Sequence, residues 1–263
     1  MADIALFNDE EQDGFMALFN ENEKQLNKKL CELFCEWWEF QPDMTLDGFF
    51  PNYLNQRHKI LFIGQESYRL ENQNYIEFFY DIWQNGKNFK NSHILVNYIS
   101  YAVQACEEVY DNVLPKEELK KIFLSNNPER YSYAFMNLSK IRLREKRNAG
   151  SAADWKSIKD SVEKSTKPRN FIKEEIEILS PDIIITMNIA DRAETYNWDV
   201  YGNIVKSLSE ENVAVFDSIF GYEALVIDTY HFSPMGKGKS EKDKQEIFFD
   251  PVIRVINSYY KNT

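Results

Sequence analysis

Lys59-Ile60-Leu61-Phe62-Ile63, followed by Gly64-Gln65-Glu66-Ser67-Tyr68, is an apolar run of strand length that breaks into glycine and polar residues. Its β-branched and aromatic content predicts a buried strand. Two other stretches repeat the pattern. Tyr133-Ala134-Phe135-Met136 runs into Asn137, and Leu225-Val226-Ile227-Asp228-Thr229-Tyr230 runs into His231-Phe232-Ser233-Pro234. Further strands are predicted at 182–187 and 213–216. Helices are predicted at 10–40, within 71–84, at 91–110, 116–124 and 168–179, as one or two within 191–210, and at 241–260, the last kinked at Pro251. Strands alternating with helices predict an α/β fold, specifically a three-layer α/β/α sandwich with a mostly parallel central sheet. Ligands of such sheets lie outside the carboxyl ends of the strands. An acid, an amide and an imidazole, Glu66, Asn137 and His231, are therefore expected around one pocket. No internal repeat or linker divides residues 1–263, so one domain is expected, with an acidic helical extension over about 1–50.

The chain is acidic, with a formal net charge of -11. Residues 1–50 carry 12 Asp and Glu against three lysines, a net of -9. Residues 140–173 carry 11 Lys and Arg against four acids, a net of +7. Either segment reads most simply as solvated helix faces, and the overall acidity counts against nucleic acid as a partner. Cys31, Cys35 and Cys106 are too few for a disulfide framework. Cys31 and Cys35, one helical turn apart among Leu33, Phe34, Trp37 and Trp38, are expected to pack in the core rather than bind metal. There is no signal-peptide pattern and no apolar run near the ~20 residues of a membrane span, so a cytoplasmic protein is expected.

The three strand-end motifs resemble those of the uracil-DNA glycosylase superfamily. Gly64-Gln65-Glu66-Ser67-Tyr68 resembles a Gly-Gln-Asp-Pro-Tyr water-activating motif, with Glu66 in place of Asp and Ser67 in place of Pro. His231-Phe232-Ser233-Pro234 resembles a His-Pro-Ser-Pro loop, with Phe232 in place of the first Pro. Phe135-Met136-Asn137-Leu138 looks like the strand that supplies the base-reading Asn, and Ser180-Pro181-Asp182-Ile183-Ile184-Ile185 like the next strand. The resemblance spans about 58–235.

What it implies is a monofunctional DNA glycosylase that hydrolyses the N-glycosidic bond of uracil or a related damaged base, without cofactor or metal. The base would be flipped out of DNA into the pocket. Asn137 offers an amide donor and a carbonyl acceptor, which match O4 and N3–H of uracil. His231 would donate a hydrogen bond to O2 as the bond breaks, and Glu66 would orient water and stabilise the cationic sugar. Gln65 and Tyr68 would form the pocket floor, and Phe79 would stack on the base. Ser233, Met235, Lys237 and Lys239 would contact DNA, Met235 as a wedge and the lysines at phosphates. His58 and His93 lack such context and are expected to be structural or exposed. Two alternatives fit the acidity: a catalytically impaired base- or nucleotide-binding protein of the same fold, and a hydrolase of small nucleosides.

Overall fold

A computed structural model describes residues 14–42, 44–66, 70, 73–87, 89, 92–141, 155–232 and 240–262. It has an α/β fold around a six-stranded mixed sheet. The strands are β1 (Gly48–Phe49), β2 (Ile60–Glu66), β3 (Ala134–Ser139), β4 (Ile183–Met187), β5 (Val213–Ile219) and β6 (Tyr222–Thr229). Their order is β1-β3-β2-β4-β6-β5. Neighbours β3, β2, β4 and β6 run parallel, whereas β1 and β5 are antiparallel edges. The parallel strands are buried nearly throughout, as strands covered on both faces must be.

Side chains alternate between two apolar clusters. Phe62, Phe135, Ile185 and Ile227 enter one, together with α2 (Tyr75–Gln84), α3 (Ser92–Ala105), α4 (Lys116–Leu124) and α8 (Asp250–Asn262). Leu61, Ile63, Met136, Ile184 and Val226 enter the other, with α1 (Glu21–Phe40), α5 (Trp155–Thr166), α6 (Phe171–Leu179) and α7 (Ala190–Tyr196). Register places Phe62 beside Phe135 and Ile185, and Ile185 beside Ile227, so each row across the sheet faces one way.

Local chemistry sets several boundaries differently from the periodicity. Asn20 accepts from the Glu23 amide while Glu23 accepts from the Asn20 amide, a capping box that starts α1 at Glu21. The helix expected at 10–40 is thus shorter, with a separate turn at 14–16. Of the helix expected at 191–210, Ala190–Tyr196 forms. Beyond it the chain lies along β5, through bridges Tyr201↔Ile219 and Ile204↔Phe216. Asp217 there accepts from the backbone and side-chain amides of Asn203. β5 and β6 join through Phe220 and Gly221, both at positive φ, the conformation that a two-residue hairpin loop demands. Before Pro251 the helix widens to a π-helical stretch at Lys244–Phe249, where Asp250 donates to Gln245. Cys35 is exposed rather than in the core, and Cys31 is half-buried, its thiol pushed up to about 11 chiefly by burial. Cys31 lies at the flank and Cys35 on the outer side of α1, whose buried side is formed by Leu30, Leu33, Phe34 and Trp37.

Candidate functional site

The end of β2 and the end of β3 fit into each other. Gly64 pairs with Asn137 across the parallel ladder. A Cβ added to Gly64 would stand 2.9 Å from Asn137 Oδ1 and 3.1 Å from Phe135 Cζ. Glycine is therefore what allows the Asn137 carbonyl to lie over β2. Two residues further on, Glu66 pairs with Ser139 and is half-buried. Alternation along the strand puts Phe62, Gly64 and Glu66 on one face, the face of Phe135 and Asn137.

β6 ends on the same face. Ile227 enters the cluster that contains Phe62 and Phe135, and Thr229 follows two residues later, paired with Met187. Thr229 is 2% exposed, and its hydroxyl has no hydrogen-bond partner among the described residues. A buried hydroxyl left so is costly, which marks the end of this row as a place suited to a polar ligand or water. His231 stands just beyond and is partly buried. Burial lowers its imidazole below the ordinary 6.5, so the ring is neutral at pH 7. Phe232, where the resembling motif has Pro, is buried edge-on against Phe62 at 6.2 Å and Phe248 at 5.8 Å, and so fixes the root of the loop to the core.

The remaining expected residues divide. Gln65 Nε2 donates to the Met187 carbonyl at 3.0 Å, tying the end of β2 to that of β4. Phe79 lies in α2 within an aromatic group, 4.5 Å from Tyr75 and 4.3 Å from His93 between ring centroids. Tyr75, not Phe79, stacks flat on Phe135 at 4.6 Å, two residues before Asn137. Tyr68, Ser233, Met235, Lys237 and Lys239 lie outside the described residues. His93 is structural: buried among Tyr75, Phe79 and Trp83, it is lowered to about 4 by burial. His58 stacks on Tyr260 at 4.1 Å.

A charged group that the sequence did not reveal lies beside Asn137. Asp47 Oδ2 accepts from the Asn137 backbone amide at 2.7 Å, and Asp47 Oδ1 accepts from Asn137 Nδ2 at 3.4 Å. Lys140 Nζ reaches Asp47 at 2.5 Å and Glu175 at 2.6 Å, and all three side chains are fully buried. The ammonium also lies over Trp37, 5.1 Å from the ring centroid. Lys140 belongs by position to the basic stretch expected to be solvated, and the structure corrects this for Lys140. Burial alone would lower its ammonium, but Asp47 and Glu175 together outweigh burial and raise it. Burial raises Asp47, against the pull of Lys140 and the Asn137 donors, and raises Glu175 to about 7.

No helix among the described residues is long and apolar enough to cross a membrane. No known family matches the chain, and no curated protein is recognisably similar to it.

Proposed function

We propose that this chain is a monofunctional DNA glycosylase that hydrolyses the N-glycosidic bond of uracil or a related base, on a three-layer α/β/α scaffold whose central strands are parallel. The observation that carries the reading is the interlock of Gly64 with Asn137, with Thr229 ending β6 on the same face and His231 following two residues later. An amide offers a donor beside an acceptor, which suits the O4 and N3–H edge of uracil. A neutral His231 suits the donation of a hydrogen bond to a base leaving with negative charge, and needs no proton transfer. Glu66, at the end of β2, is the carboxylate for water and for the developing sugar cation. In this reading DNA is the partner, met through Ser233, Met235, Lys237 and Lys239, and no cofactor takes part.

The test is uracil release from uracil-containing single- and double-stranded oligonucleotides at low salt. Wild-type protein is expected to leave abasic sites. His231→Ala is expected to lower single-turnover release about 10²–10³-fold, as the loss of a preorganised donor does. Asn137→Ala should lower it as well, with both variants folded. No release at high enzyme, or full turnover by both variants, would refute the assignment. The net charge of -11 favours a second reading, a pocket for a free base or small nucleoside, for which a negative surface is no hindrance. Tight binding of free uracil without release from DNA would favour that reading.

A further inference from the structure

We propose that Asp47, held by Lys140 and Glu175, is a positioning residue that fixes which way round the Asn137 carboxamide points, and thereby which edge of a ring the site accepts. The inference rests on the glycosylase reading for the identity of the ring, but not for the existence of the constraint.

An asparagine amide is nearly symmetric in shape and opposite in polarity at its two ends. Turned over, it presents an acceptor where it had a donor, and a site selecting the O4 and N3–H edge of uracil becomes one selecting the N4–H and N3 edge of cytosine. Something must therefore choose the orientation. Around Asn137 the choice is made by an acceptor-only group. Asp47 Oδ2 accepts from the Lys140 ammonium and from the Asn137 backbone amide, and beside that cation Oδ1 is an acceptor too, so the end of the Asn137 amide facing it is Nδ2. Oδ1 then falls on the opposite side, over the bare Cα of Gly64. One N–H of Nδ2 is spent on Asp47. The other N–H and the carbonyl remain for a ligand, a donor beside an acceptor in fixed order.

Asp47 is held firmly enough to do this. Its second oxygen is taken by the Asn137 backbone amide at 2.7 Å and by Lys140 at 2.5 Å. Lys140 in turn is anchored by Glu175 of α6 and by the ring of Trp37. The carboxylate thus grips both the backbone and the side chain of one residue, and the cation fixes the carboxylate from behind. Structure-keeping alone would need the backbone contact and the ion pair. The side-chain contact adds the selection of polarity.

The test compares wild type with Asp47→Asn, which keeps shape but offers Asn137 either polarity. Lys140 retains Glu175 as counter-charge, so a cooperative fold is expected. Uracil release from an oligonucleotide is expected to fall at least tenfold. The ratio of affinities for free uracil over free cytosine, measured by calorimetry, should shrink about tenfold. A purely structural role would weaken both bases alike. A folded Asp47→Asn protein with the wild-type ratio would overturn the proposal.

A second measurement needs no activity and leaves Asp47 in place. The side-chain amide signal of Asn137 in wild-type protein is assigned by its loss in Asn137→Asp. Hydrogen exchange of that amide at least tenfold slower than in exposed asparagines is expected; exchange at the exposed rate would overturn the proposal. If wild-type protein neither released nor bound uracil while this amide stayed protected, the glycosylase reading would fail and the constraint on Asn137 would stand.

Discussion

Asp47 and Asp228 are both aspartates buried at the carboxyl end of the sheet, yet their charges are met in different ways. Asp47 faces a cation, Lys140, which it shares with Glu175. Among the described residues Asp228 faces dipoles, the Thr186 hydroxyl at 2.5 Å, the Tyr201 hydroxyl at 3.2 Å and the Ile189 backbone amide at 2.9 Å among them. Burial raises both carboxyls, Asp47 in spite of the Lys140 cation and Asp228, up to about 6, in spite of its uncharged donors. The difference teaches what each device is good for. The dipole-solvated aspartate ties the entry of α7 to the end of β6. The ion-paired aspartate is locked into one geometry, and it is the one that touches Asn137.

Breaking the ion pair gives the largest expected effect. Lys140→Met leaves two buried carboxylates without their cation, and should cost about 3–5 kcal/mol in denaturant unfolding. A loss below about 1 kcal/mol would show that Asp47 and Asp228 are solvated alike.

The pH dependence of Asp228 gives the next effect, with an internal control in His93. The folded value of Asp228, about 6, lies above its ordinary 3.8. Its stability contribution is therefore complete below 3.8 and is lost as pH rises through 6, by about 3 kcal/mol. The folded value of His93, about 4, lies below its ordinary 6.5. Here stability is complete above 6.5 and is lost as pH falls through 4, by a similar amount, about 3 kcal/mol. The two oppose each other over one window. Relative to wild type, Asp228→Asn should gain stability from pH 4 to pH 7, and His93→Gln should gain from pH 7 to pH 4. Equal slopes for the two variants would contradict the assigned signs.

The smallest effect sharpens the contrast inside the charged group itself. Glu175→Gln keeps the Asp47–Lys140 pair and removes a carboxyl raised to about 7. At pH 7 it should lie within about 1 kcal/mol of wild type. A raised folded value means stability lost as pH rises from 4.5 through 7, so the variant should gain on wild type toward pH 8. A large loss at pH 8 would place the essential counter-charge at Glu175 rather than Asp47.

Much of the frame was legible along the chain. Ile60-Leu61-Phe62-Ile63 and Ile183-Ile184-Ile185 are continuous apolar runs because these central strands of the mixed sheet are buried on both faces. The helix at Lys116–Leu124 forms as its periodicity predicts. The break before α1 was also written in the sequence, since Asn20 three residues before Glu23 is the signature of a capping box, but the longer periodic pattern masked it. β1 was hidden for another reason. Two residues, Gly48 and Phe49, carry no periodicity, and their strand character comes from pairing with Phe135 and Ala134 far along the chain.

The candidate site divides in the same way. Glu66, Asn137 and His231 stand out along the chain because each follows an apolar run, and the ends of strands are where ligands of open sheets lie. Nothing of that kind marks Asp47 or Glu175, and Lys140 reads as one more base in a basic stretch. The sequence by itself determined which segments become strands and which polar residues stand at their ends, because hydrophobic periodicity acts over a few neighbouring residues. Only the tertiary structure decided that Lys140 is buried and that an aspartate 90 residues away grips Asn137. A charge is tolerated in the interior only where an opposite charge meets it, and that meeting is made by folding, not by position along the chain.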